Sequence, residues 1–280
     1  MDEQTAHCAS EVRAHDYDRY LCVLLAPRGV RPALLALTAF NLEVARVADA
    51  VSEPMLGEIR LQWWRDAIAD LYDGKTRGHP VVLALAPAIE RGLLSRQRFE
   101  RIIDARIADL GAAAPNDLAA LEALARATAA ELHHLWREAL GETGDGATRA
   151  VDHAGVAFAM VGLMRATPFH AARGRLYLPS DLVRDAGVDV NDVLAGRFTP
   201  ALARVVLNVL DRAEHHLREA HRLRRRVPRR ATSALLPAAL AAMYLRRLRR
   251  AGGNPFADGL TISPLRRQLR LTAAALFRWT

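Results

Sequence analysis

Arg165-Ala166-Thr167-Pro168-Phe169-His170-Ala171-Ala172-Arg173-Gly174-Arg175-Leu176-Tyr177-Leu178-Pro179 contains three arginines and one histidine but no aspartate or glutamate. The apolar run 154–164 leads into it and stops at Arg165, and Gly174 marks a break. Three guanidinium groups beside His170 suit a phosphate-bearing ligand, because each can present a planar fork of donors to an oxyanion.

Outward from this stretch, apolar residues recur every three or four positions and strand-like alternation is scarce, which predicts helices nearly throughout. Leu118, Leu121, Ala125, Thr128, Leu132 and Leu135 form one such face, and Ile59, Trp63, Ala67 and Leu71 another. Breaks at Pro27-Arg28-Gly29, Asp73-Gly74, Gly141 to Gly146, Gly187, Gly196, Pro228 and Gly252-Gly253 are spaced as helix connectors. With 280 residues and 51% hydrophobic content, the chain predicts one all-α domain, an antiparallel bundle over residues 16–280 after a short tail at 1–15.

No apolar run approaches the ~18 residues of a membrane-spanning helix. The N-terminal residues resemble neither a secretion signal nor a transit sequence. Cys8 and Cys22 are expected to be free thiols. These features predict a bacterial cytoplasmic protein.

Charge is uneven, since residues 191–280 hold 18 arginines against 5 acidic residues while the chain as a whole is only +8. Arg222, Arg225 and Arg226, with Arg246, Arg247 and Arg250 further on, form a candidate membrane or partner surface. Leu217, Leu223, Leu235, Leu236, Leu240, Leu245 and Leu248 interleave with them, which suits an amphipathic face on an anionic membrane. Nucleic acid is not expected as a partner, because no recognition motif is present and stacking aromatics are missing from the basic stretch. The tandem pairs His133-His134 and His215-His216 cannot each point one way on a helix, so they are expected at the surface or a rim. Trp63, Trp64 and Trp136 are expected in the core.

The frame from Arg165 to Pro179 resembles the squalene/phytoene synthase family, in which an Arg precedes Asp-x-x-x-Asp and a basic stretch leads through Gly-Arg to Tyr-Leu-Pro. The likeness runs from about Asp16-Tyr17 to Tyr244-Leu245 and includes Tyr20 to Pro27, Phe40-Asn41 and Gln62-Trp63-Trp64-Arg65-Asp66. It implies an isoprenoid-synthase-like antiparallel helical bundle around a central cavity. Arg46, Asp49, Glu53, Arg165, His170, Arg173, Arg175 and Tyr177 are its candidate ligand-binding residues. The synthases' two aspartates fall on Ala166 and His170, and their preceding Gln and Asn on Ala159 and Gly162.

In the first aspartate-rich segment two registers are open. One places the metal-facing positions at Ala48 and Ser52; the other leaves Asp49 and Glu53 as weak metal candidates one helical turn apart. Catalytic residues and a cofactor are therefore not expected, and Mg²⁺ enters only if the chain is a divergent transferase of farnesyl or geranylgeranyl diphosphate.

Ala39-Phe40-Asn41, Asp49-x-Val51-Ser52-Glu53 and Arg165-Ala166-Thr167-Pro168-Phe169-His170 resemble the family branch of respiratory complex I assembly factor 6 and its bacterial relatives. That resemblance implies a non-catalytic role in building the NADH:quinone oxidoreductase, peripheral to the inner membrane. Complex I subunits, other assembly factors, an anionic membrane surface and a prenyl or phosphate-bearing lipid are the implied partners.

Overall fold

Helical periodicity carries into three dimensions. The structure, a computed structural model, describes all residues except 1, 52, 93, 112 and 278–280, and every regular element among the described residues is helical. The first half comprises α1 (Glu3–His15), α2 (Tyr17–Leu24), α3 (Arg31–Ala50), α4 (Pro54–Tyr72), α5 (Pro80–Glu90), α6 (Arg96–Asp109), α7 (Leu118–Ala125) and α8 (Glu131–Ala139). After them come α9 (Asp145–Arg165), α10 (Thr167–Ala171), α11 (Ser180–Ala186), α12 (Val190–Leu194), α13 (Pro200–Leu223), α14 (Leu236–Arg250) and α15 (Pro264–Leu276).

α9 is the central helix, packing along α13 and α14 on one side and against α7, α8 and the short π-helical segment Arg126–Ala130 on another. A Cβ at Gly155 would meet the backbone of Ala130, so glycine is what lets α9 and the π segment approach so closely. Trp136, Phe40 and Phe99 are the largest fully buried side chains, and Phe40 meets Trp64 and Phe99 edge to face at 5.5 and 5.1 Å. No helix among the described residues is long and apolar enough to cross a membrane.

Several local expectations are corrected. Residues 3–15, expected within a tail, form a packed helix: Asp2 caps it by accepting the Thr5 N–H at 2.7 Å, and Cys8 and Val12 are fully buried. α1 rests on α3 and α5. Cys8 and Cys22 are both free and buried, and burial pushes the Cys8 thiol up to about 12. On α4 the inward face is Gly57, Leu61, Trp64, Ile68 and Leu71; Ile59 is 61% exposed, and Trp63 lies at the rim with His79 and Arg77.

His133 and His134 are buried rather than superficial, as is His216, while His215 is exposed. His133 lies against Trp136 and Phe158, and burial together with nearby Arg19 drives its pKa well down.

Candidate functional site

α3, α6, α9 and α10, with the α1–α2 junction and the π segment, line a cavity of about 370 Å³. α3 offers Asn41, Arg46, Ala48 and Asp49 to it. The facing wall is Phe158, Ala159, Gly162 and Ala166 of α9 with its following turn, and His170 of α10. All four positions at which the synthases' polar residues are replaced thus line one cavity, three of them without a polar side chain.

What remains polar is mostly committed to internal pairs. Asp109 closes α6 and accepts the Tyr177 hydroxyl at 2.8 and 3.0 Å; Arg175 lies 3.2 Å from the same carboxylate and also donates to the Asp109 backbone carbonyl. Arg106, one turn earlier on α6, stands 3.8 Å from Asp109, and burial lowers its pKa. At the opposite side Asp16 caps α2 and pairs with Arg19 at 2.6 Å, while Arg19 stacks over Phe158 and donates to His133 at 3.5 Å. Arg46 reaches Glu11 of α1 at 3.3 Å.

Three buried polar atoms around the cavity have no hydrogen-bond partner among the described residues: Asn41 Oδ1, Arg106 Nε and His170 Nδ1. Leaving such groups unmet costs about 1–3 kcal/mol each, so water or a polar ligand in the cavity would be favoured. Burial lowers the His170 pKa against the opposing pull of Asp49 and Asp109, which favours a neutral imidazole.

The structure brings Arg46, Asp49, His170, Arg175 and Tyr177 to this cavity and separates the other candidates. Arg165 turns to an adjoining pocket, where it lies over the Tyr244 ring at 3.9 Å and 3.8 Å from Asp18. Arg173 is exposed and folds back over the Phe169 ring at 3.7 Å. The proposed three-arginine phosphate cluster is therefore not assembled.

Glu53 is also displaced. α3 ends at Ala50, Val51 is extended, and Glu53 becomes the exposed residue before α4, so the chain turns away before Asp49 and Glu53 can share a helix face. The alternative register leaves Ala48 at the cavity, while Ser52 lies outside the described residues.

A diphosphate-binding Mg²⁺ cluster needs hard oxygen donors from both walls. Here α3 supplies Asp49, and the α9–α10 wall supplies alanines, a glycine and a histidine; Asp16 and Asp109 are taken up by Arg19, Arg175 and Tyr177. Among the described residues no three His, Cys, Asp or Glu side chains are grouped to hold a metal ion. The donor set does not fit that cluster.

The basic stretch also differs from its expectation. The interleaved leucines, from Leu217 to Leu248, are all buried in the core and offer no apolar outer face. Arg222 pairs with Glu219 at 2.6 Å, and Arg247 is held by the Gly259 carbonyl. Arg225, Arg226, Arg246 and Arg250 are exposed, but the first two lie just beyond α13 and the last two near the far end of α14. Arg249 of α14 pairs with Asp211 and Glu214 near the middle of α13, so the two groups do not form one patch.

An all-helical bundle around a cavity is the architecture of isoprenoid synthases. A dehydrosqualene synthase superposes with a TM-score of 0.87 at 17% identity, covering 99% of this chain and 96% of that one. A squalene synthase from Alicyclobacillus acidocaldarius gives 0.80 at 24%, covering 90% and 95%. At such identities the likeness establishes the fold alone.

The sequence places the family. A family model described as squalene/phytoene synthase matches residues 12–274, and the chain belongs to that family. NADH dehydrogenase (ubiquinone) complex I, assembly factor 6, of Rattus norvegicus is 34% identical over 263 residues, covering 92% of this chain and 79% of that protein. The Homo sapiens protein of the same name is 32% identical over the same shares. Presqualene diphosphate synthase of Rhodopseudomonas palustris is 29% identical over 82% of this chain and 84% of its own.

Proposed function

We propose that the chain is a non-catalytic member of its family that acts in assembly of the NADH:quinone oxidoreductase, peripheral to the inner membrane on its cytoplasmic side. Complex I subunits or other assembly factors are its direct partners in this reading. The observation that carries it is the emptied wall: Ala159, Gly162, Ala166 and His170 line one cavity opposite Ala48 and Asp49, where a diphosphate-metal cluster would need carboxylates. Similarity to assembly factor 6 over 92% of the chain supplies the direction in which function has moved. The fold has been kept while the side chains that carry the reaction have not. Native electrophoresis of membranes from a deletion strain of the native host tests this. Loss of full-size complex I with accumulation of subassemblies is expected, and full-size complex at the wild-type level contradicts it.

Two observations favour a second reading, that of a divergent prenyl transferase: Asp49 still lines the cavity, and a presqualene diphosphate synthase is 29% identical to the chain. Diphosphate release from farnesyl or geranylgeranyl diphosphate with Mg²⁺, abolished by Asp49→Ala with Glu53→Ala, would establish it. The assembly reading predicts no release.

A further inference from the structure

A second basic pocket, of about 390 Å³, lies where the turn after α2 and the segment before α14 meet the end of α15. Arg28 and Arg31 line it together with Arg229 and Arg230. Arg31 Nε donates to the Ala26 carbonyl at 2.9 Å, and Arg230, largely exposed, reaches Glu142 at 3.2 Å. Arg28 and Arg229 make no ion pair with any described residue. Ser233, 3% exposed, lines the same pocket, and its hydroxyl has no hydrogen-bond partner among the described residues. Four guanidinium groups with one nearby carboxylate make a site for a phosphate.

The surroundings of this pocket are apolar and exposed. On α15, Leu271 and Ala274 are buried and Arg267 is drawn inward to Asp18 at 2.8 Å. That rotation leaves Leu265, Leu269 and Leu276, with Phe277 after them, between 62 and 67% exposed. Ala275, between the buried Ala274 and the exposed Leu276, lines the arginine pocket, so the apolar stripe of α15 ends at its edge. Leu25 lines the pocket as well and, with the exposed Leu24, borders a second hollow against Leu271 and Thr272. α15 itself carries three arginines and no acidic residue.

A phosphate site bordered by exposed leucines on a basic helix matches the layering of an anionic bilayer surface, phosphates outermost and hydrocarbon beneath. Nucleic acid would satisfy the arginines and leave the leucines in water. We propose that this face docks on anionic phospholipid, with a headgroup phosphate among Arg28, Arg31, Arg229 and Arg230 and the α15 leucines and Phe277 in the interfacial layer. The proposal deepens the assembly reading by naming the side of the molecule that meets the membrane, and rests on it only for the choice of a membrane.

Sedimentation of the full chain with phosphatidylcholine vesicles, with and without phosphatidylglycerol, tests it. Binding should require phosphatidylglycerol and weaken with salt. Arg28→Ala with Arg229→Ala should lower affinity roughly thirtyfold, about fivefold for each basic side chain. Leu269→Ser with Leu276→Ser should also weaken binding while leaving the melting temperature unchanged. Equal binding to both vesicles that ignores the arginine pair overturns the proposal. Binding of free glycerol phosphate without vesicle binding overturns it in favour of a soluble anion, and absence of any binding in favour of a protein partner. A vesicle failure alongside a complex I defect on deletion removes the lipid face and leaves the assembly reading standing.

Discussion

Asp109 holds one end of the cavity together through Tyr177, Arg175 and Arg106. Asp109→Ala would strand buried guanidinium groups and should cost about 3–5 kcal/mol, whereas Asp49→Ala, at an exposed position, should stay within about 0.5 kcal/mol. Urea denaturation of both variants checks the difference; equal losses would mean that Asp109 is not a structural clamp. The losses at Ala159, Gly162, Ala166 and His170 were legible in the sequence because the Arg165 to Pro179 frame fixes their register. Arg106 and Asp109 were not, since an Arg-x-x-Asp spacing on a helix looks the same whether it faces water or a cavity. Arg19, three residues from Asp16, is hidden in the sequence for the same reason. Arg173 and Arg175 are separated only by Gly174, yet one folds outward and the other inward, which charge pattern alone cannot show.

At the scale of elements, α9, α7 and α13 are joined by a histidine pair, the half-buried His153 and the buried His216. His153 and His216 bring their Nδ1 atoms within 2.8 Å, and His216 lies 3.4 Å from Glu122. Burial opposes ionisation of Glu122, but hydrogen bonds from Arg212 and Arg126 hold its pKa at about 2. Burial lowers both histidines from their ordinary 6.5, although Asp152 and Glu219 pull His153 upward and Glu122 pulls His216 upward, while Arg126 and Arg212 oppose this. Because the unfolded chain takes up those protons first, unfolding free energy should be level from about pH 6.5 to about pH 8 and fall as pH drops below 6.5, with Glu122 and Asp152 adding a further loss in stronger acid; in alkali the buried Cys8 and Cys22 thiols, raised by burial, bring a separate loss. Denaturation curves at successive pH values check this; stability that rises on acidification would contradict it.

Gly155 gives a test of helix packing in the same region. Gly155→Ala should cost about 1–3 kcal/mol by forcing α9 from the Ala130 backbone, while Gly162→Ala, with open space around it, should be neutral or slightly stabilising. Equal melting temperatures for the two variants would contradict the close approach. Helix existence was legible from periodicity, and the α7–α8 face came through because Leu121, Ala125, Thr128, Leu132 and Leu135 all turn inward. Faces were harder. α4 places its inward stripe on Gly57, Leu61 and Trp64, since a helix with apolar residues on several sides has more than one candidate stripe. α1 has little helical signature in the sequence, because only Thr5, Cys8 and Val12 of its residues turn inward.

For the whole molecule, the excess of arginine in the last third does not resolve into the single patch expected at Arg222 to Arg250; Arg249 and Arg267 serve internal ion pairs while Arg229 and Arg230 join Arg28 and Arg31 from the connection between α2 and α3. That meeting of distant segments is a product of folding and has no signature along the chain. The fold and family, by contrast, were legible from the retained frame around the cavity. The central claim is that this frame now serves assembly of a respiratory enzyme. It is tested most directly by measuring inhibitor-sensitive NADH:quinone oxidoreductase activity in membranes of a deletion strain carrying no plasmid, the wild-type chain, or Asp49→Ala with Glu53→Ala. The account predicts loss on deletion and full rescue by both chains; unchanged activity on deletion, or rescue by the wild type alone, would contradict it.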